Sequence, residues 1–239
     1  MLYYSRRTGH RVLFDPKASG ASGKRVLRLN KRVFVRQSGL FTITGEDGAI
    51  YRGADQDWFP RQIQRWSGCG PTTAALILSY LAAIKPELGA LWPDRAMNQP
   101  AFSHFMCQVW EYVTPREHGL HQPSMFQEGV RAFSLARGLT LEPQVLEVPA
   151  ARTHRPPFEE IAAFLCASLE RDCPVAFLNL SNGKVSQLDR WHWVTIIGMD
   201  GPMAHILDSG REFPIDLSLW YETTKKRGGF VSILGEEEA

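Results

Sequence analysis

Hydrophobic positions along the chain fall into three blocks with different spacing. Over residues 1–52 they come in short runs rich in β-branched and aromatic side chains: Arg11-Val12-Leu13-Phe14, Arg32-Val33-Phe34-Val35 and Leu40-Phe41-Thr42-Ile43-Thr44. Asp15-Pro16, Ser19-Gly20-Ala21-Ser22-Gly23 and Glu46-Asp47-Gly48 punctuate these runs as turn signals, so the block is predicted to be strands. Residues 53–68, with Trp58, Pro60 and Trp66, show little periodicity and read as a loop. The second block opens with Thr72-Thr73-Ala74-Ala75-Leu76-Ile77-Leu78-Ser79-Tyr80-Leu81-Ala82-Ala83, nearly all apolar or small. This run predicts a helix beginning at or just after Cys69, with Pro71 in the first turn, where its missing N–H costs nothing. A helix that is apolar on most sides is a buried one. Further helices are expected at about 101–113, at about 125–137 with Ser124 as N-cap and Gln127 completing a capping box, and at 158–171 after Pro156-Pro157.

After Pro174 the spacing changes again, to strands. Val175 to Leu180, His192 to Gly198, Ala204 to Asp208 and Gly229 to Leu234 are the candidates, with a short helix near 215–223 between the last two. Helices followed by an antiparallel run of strands predict an α+β fold. Two regions are expected: a β-rich basic segment over 1–55, integrated with the core, and a main domain over 56–239.

Composition narrows the functional classes only a little. The 239 residues are 44% hydrophobic and 22% charged, enough to bury a core without disulfides. Net charge is +2, but it is unevenly spread. Residues 1–66 carry 13 Lys and Arg against 5 Asp and Glu, or +8, and the remainder carries 14 against 20, or −6. The basic segment is an expected face for an acidic partner; without a compact Lys/Arg run or an RNA-type aromatic motif, nucleic acid is not the expected one. Four cysteines, Cys69, Cys107, Cys166 and Cys173, form no C-x-x-C pair, which argues against a zinc ribbon or a thioredoxin-type motif and for reduced thiols. No secretory h-region and no run of about 20 apolar residues is seen, so a cytoplasmic protein without a membrane span is expected.

Three segments carry candidate chemistry. In Gly68-Cys69-Gly70-Pro71 a cysteine flanked by glycines opens the buried helix, where unpaired N–H groups and the positive dipole end favour thiolate over thiol. Trp191-His192-Trp193-Val194 places a histidine at the start of a strand, a natural base for that cysteine. Ile206-Leu207-Asp208-Ser209 ends the following strand with an acid that can orient the imidazole; Asp200, in the intervening turn, serves turn geometry. His118 and His121 share a polar loop, and His104 and Cys107 share a helix face, without a further ligand to complete a metal site. Trp66, Trp191 and Trp193 flank the Cys–His pair in sequence.

Cys-Gly-Pro-Thr-Thr-Ala-Ala-Leu-Ile-Leu opening a helix, then His-Trp-Val-Thr-Ile-Ile-Gly and Leu-Asp-Ser downstream, resembles the papain-like cysteine peptidases. Within them it is most similar to the bacterial double-glycine leader peptidases and their stand-alone relatives. The resemblance spans roughly residues 60–235 and leaves residues 1–55 unaccounted for. It implies a papain-like α+β fold with Cys69 as nucleophile, His192 as base and Asp208 as orienter. It also implies a glutamine shortly before the cysteine as oxyanion donor, for which Gln64 is preferred and Gln62 is the alternative. The expected activity is cleavage of a peptide or amide bond in a peptide or protein substrate, through a thioester and without a cofactor or metal. An acyltransferase on the same fold, or a binding module without catalysis, are the alternatives.

Overall fold

A computed structural model of the chain describes residues 31–234. The described residues form nine strands, six α-helices and short 3-10 turns, a mixed α+β architecture around an antiparallel sheet. In chain order these are β1 (Arg32–Phe34), β2 (Thr42–Thr44), β3 (Ile50–Arg52), α1 (Gln62–Ser67), α2 (Cys69–Ile84), α3 (Gln99–Trp110), α4 (Pro123–Ala136), β4 (Gln144–Val148), α5 (Phe158–Glu170), β5 (Val175–Asn179), β6 (His192–Asp200), β7 (Met203–Asp208), β8 (Arg211–Asp216), α6 (Leu217–Thr223) and β9 (Gly228–Ser232).

The main sheet has the order β4-β9-β5-β6-β7-β8, all neighbours antiparallel. β6 is its longest strand. β5 pairs with residues 192–196 of it, and β1 pairs with residues 198–200. The strand nearest the start of the described chain is thereby built into the sheet, and the other two early strands, β2 and β3, form a separate hairpin. The expected run Arg11–Phe14 lies outside the described residues. β9 sits between β4 and β5, so the last strand fills an interior position of the sheet and is buried throughout.

β6 is buried at every position from Trp193 to Met199, which an alternating strand achieves only when both of its faces are covered. α2 packs on β5 and β6, α5 on β1, β5 and β6, and α4 on β4 and β9. β6 also bulges in its pairing with β7 between Ile196 and Gly198. A Cβ on Gly198 would lie 2.2 Å from the ring of Phe34, so glycine there is what lets β1 close onto the sheet.

Several local readings shift against tertiary forces. α1 occupies what the sequence pattern leaves as loop: Arg65 holds the turn before it through bonds from its guanidinium to the Phe59 and Pro60 carbonyls, at 2.8 and 3.0 Å. α4 starts at Pro123 rather than after Ser124, because proline suits the first turn, and Gln127 spends its amide on the Pro143 carbonyl at 2.5 Å instead of on a capping box. β4 and β8 were not expected. β8 contains Pro214, which lacks an N–H for a sheet ladder, yet β8 is an edge strand, where that loss is tolerated.

α2 is the centre of the molecule. Every residue from Gly70 to Ala82 is buried, including Tyr80, whose hydroxyl donates to Asp172 at 2.7 Å. The helix is held by burial on all sides rather than by an amphipathic stripe. Leu81→Ala, at a fully buried position of α2, is expected to lower the unfolding free energy by about 2–5 kcal/mol in urea denaturation.

Candidate active site

Cys69 is the first residue of α2, and its surroundings explain the glycines beside it. A Cβ at Gly68 would meet the Gln64 carbonyl at 2.4 Å and the Phe59 ring at 2.6 Å; one at Gly70 would meet Leu120 at 2.6 Å. Gly68 has ordinary right-handed backbone angles, φ −83° and ψ 0°. Space, not an unusual conformation, requires glycine at 68, and at 70 glycine leaves room for the Leu120 side chain. Trp193 closes the same corner: its indole N–H donates to the Leu120 carbonyl at 2.6 Å, and its ring stacks on Phe126 with centroids 4.7 Å apart.

His192 begins β6 and Asp208 ends β7, so the antiparallel pairing of these two strands brings them to the same end of the sheet. His192 Nε2 lies 2.7 Å from Asp208 Oδ1, with only 12% and 11% of the two side chains exposed. A carboxylate only accepts, so Nε2 carries the hydrogen, and Nδ1 is the nitrogen left for another partner. The Cys69 sulfur lines the same small cavity as the imidazole. Asp208 Oδ1 also accepts from the Ser209 hydroxyl at 3.1 Å.

Backbone strain brackets this pair. Trp191, just before His192, has φ 57°, and Ser209, just after Asp208, has φ 48°. Ser209 and Gly210, both with positive φ, form the two-residue turn between β7 and β8 that holds Asp208 at the strand end. Trp191 has no glycine to ease its left-handed conformation, a cost of order 1–3 kcal/mol that the surrounding structure offsets.

Electrostatics favour a charged imidazole. Burial alone would lower the His192 pKa, but the hydrogen bonds to Asp208 and Cys69 and their negative charges outweigh it and push the value up to about 10.

The candidate glutamines separate. Gln64 is buried, and its side-chain oxygen is committed to Arg61, accepting from its backbone N–H at 3.3 Å and its Nε at 3.2 Å. Gln62 accepts from Arg65 at 3.0 Å on the outer surface of α1. Neither lines the clefts that contain Cys69. Gln56, 13 residues before the cysteine in a short 3-10 turn, lines both of them. Its Nε2 donates to the Arg65 carbonyl at 2.8 Å, and its Oε1 is buried without a partner. No local spacing rule points to Gln56; the fold of the 53–61 segment back toward α2 brings it there.

The remaining candidates lie apart from this site. His121 faces the Gly119 carbonyl at 3.3 Å and Gln122 in its own loop, and His104 faces Gln108 on α3. Among the described residues no three His, Cys, Asp or Glu side chains cluster in a way that would hold a metal ion, and no helix is long and apolar enough to cross a membrane. The four cysteines are unpaired, with Cys69 and Cys107 partly accessible and Cys166 and Cys173 buried.

No protein-family model matches the sequence, and no curated protein is significantly similar to it.

Because the imidazolium is favoured in the folded state, its pairing stabilises the fold fully below the unfolded value near 6.5 and fades as pH rises through about 10. The stability lost on Asp208→Asn, measured by urea denaturation, is therefore expected to be largest between pH 5 and 6.5 and to shrink toward pH ~10.5. The His192 imidazole resonances in NMR should titrate near 10 in the parent and markedly lower in the variant.

Proposed function

We propose that the protein is a papain-like cysteine hydrolase that cleaves a peptide or amide bond. The observation that carries this reading is the gathering of Cys69, His192 and Asp208 around one small cavity, with the sulfur at the N-terminus of a buried helix and the imidazole bonded to the carboxylate. The packing of that helix on an antiparallel sheet, whose strands deliver the histidine and the acid, supports a papain-like arrangement.

In this mechanism the Cys69 sulfur attacks the substrate carbonyl carbon as a thiolate paired with the His192 imidazolium. The C–N bond breaks as His192 passes its proton to the leaving amine, and an acyl thioester remains on the sulfur. The neutral imidazole then takes a proton from water, whose oxygen attacks the thioester. The carboxylic acid leaves, and Cys69 and His192 return to their starting state. Asp208 keeps Nε2 as the donor, so that Nδ1 faces the sulfur throughout.

The oxyanion formed on attack needs donors. We assign that part to Gln56 rather than Gln64, together with the backbone N–H at Cys69. One hydrogen of Gln56 Nε2 is fixed on the Arg65 carbonyl, which orients the amide and leaves the second for the cleft.

Turnover of a fluorogenic peptide library tests the assignment. Cys69→Ala and His192→Ala are expected to abolish hydrolysis, the former with an unchanged thermal melt and the latter with a lowered one, because it leaves Asp208 buried and unpaired. Gln56→Ala is expected to lower kcat about 10²–10³-fold, whereas Gln64→Ala should reduce stability through loss of its bonds to Arg61 and leave kcat within a few-fold. Parent-level activity in Cys69→Ala would overturn the reading.

A further inference from the structure

The groove in front of the Cys69–His192 pair has a volume of about 740 Å³ and a one-sided charge. Asp55, Asp57 and Asp189 line it, against Arg190, whose Nε already donates to the Asn182 side chain at 3.2 Å, and the His192 imidazolium, which is paired with Asp208. Among the described residues none of the three carboxylates forms an ion pair with a lysine or arginine. Asp55 is the most enclosed. Burial pushes its carboxyl up, the Asp57 N–H that it accepts at 2.9 Å pulls it down, and the charges of Asp57 and Asp208 raise it further. The charge of Arg211 opposes this more weakly. Asp189 is held in place from behind, because the buried Asn179 donates to its backbone carbonyl.

A second, independent feature marks the same place as built for a ligand. The groove continues, through Gln56, Cys69, His192 and Ser209, into a small cavity lined by Thr72. Thr72 is 6% exposed, and its hydroxyl has no hydrogen-bond partner, as is also true of Gln56 Oε1. Two buried polar atoms left unpaired beside a nucleophile are satisfied by the polar backbone of a bound chain. At the rim, Trp66 and Trp191 are 74% and 49% exposed, and the Trp191 ring already takes one ammonium group, that of Lys226, 4.7 Å from its centroid. Unpaired carboxylates between exposed indoles are a setting that favours cations over neutral or anionic groups.

We propose that this groove selects a peptide carrying a lysine or arginine side chain next to the bond to be cleaved, with the cation received by Asp55, Asp57 and Asp189 while the backbone lies against Thr72 and Gln56. The proposal rests on the hydrolase reading of the Cys69–His192 pair. It makes the substrate a basic peptide and gives three carboxylates outside the catalytic line a role in specificity.

Three methanethiosulfonates of similar size, carrying a trimethylammonium-ethyl group, a sulfonatoethyl group or a neutral alkyl group, test it without a known substrate. Each forms a mixed disulfide with Cys69 and releases methanesulfinate, and peptide mapping separates Cys69 from the other cysteines. The cationic-to-anionic rate ratio at Cys69 is expected to exceed that of free 2-mercaptoethanol about tenfold or more. The excess should fall several-fold in Asp55→Asn/Asp57→Asn/Asp189→Asn and in ~0.5 M salt. Asp57→Asn/Asp189→Asn, at two exposed positions, gives the same readout should the triple variant fail to fold. A ratio equal to that of the free thiol, or one that the neutralised variants leave unchanged, overturns the proposal. The neutral reagent reports on the nucleophile separately. A fast neutral rate without charge preference rejects only the basic-peptide specificity, and a neutral rate no faster than that of the free thiol rejects the hydrolase reading itself.

Discussion

The architecture depends on burying one helix that has almost no polar surface to offer water. From Gly70 to Ala82 α2 is enclosed on every side, and each neighbouring element is placed so as to cover it. Burying a leucine or isoleucine side chain is worth roughly 1.5–3 kcal/mol, so Leu76, Ile77, Leu78 and Leu81 together outweigh any local preference in the segments around them. Enclosure leaves only the two ends of the helix accessible, Cys69 at its start and Ala83 and Ile84 at its close. Cys69 is partly exposed, with its backbone fixed by a packed helix behind it and by glycines that let Phe59 and Leu120 close in.

The sheet supplies the complement. β6 and β7 are neighbours, so the residue that begins one and the residue that ends the other meet at the same edge of the layer, and that edge faces the start of α2. Most of the preorganisation is therefore done by strand pairing, with two left-handed backbone positions, Trp191 and Ser209, adjusting the final approach. The enclosed His192–Asp208 pair would be costly if either partner were removed alone, since the other would be left buried and unpaired. In the hydrolase reading, the bond to Asp208 keeps His192 charged against the opposing effect of burial, and so able to protonate a leaving amine.

Much of this was legible in the sequence, and the part that was not has a physical reason. The long apolar run after Pro71 and the β-branched strands after Pro174 carry strong periodic signals, and both elements fall close to where those signals place them. Cys69, His192 and Asp208 could be singled out because each stands at the end of such an element. Gln56 could not: it is recruited by the tertiary course of an aperiodic segment, while Gln64, nearer in sequence, is turned inward to cap α1. β4 and β8 lacked a clear alternation, and β8 holds a proline that only an edge strand accommodates. The acidic groove was invisible to charge counting because its carboxylates come from segments more than 130 residues apart, one of them within a region whose net charge is basic.

The measurement that bears most directly on the central claim is the rate of Cys69 alkylation by iodoacetamide as a function of pH, in the parent chain and in His192→Ala, with all four cysteines mapped. An activated Cys–His pair predicts that Cys69 alone reacts rapidly at pH ~6, at a rate within a few-fold of that at pH ~8.5, and that the His192→Ala variant loses this. A Cys69 rate that climbs about tenfold per pH unit up to pH ~8 in the parent, as for an unassisted thiol, with no change on removing His192, would contradict it.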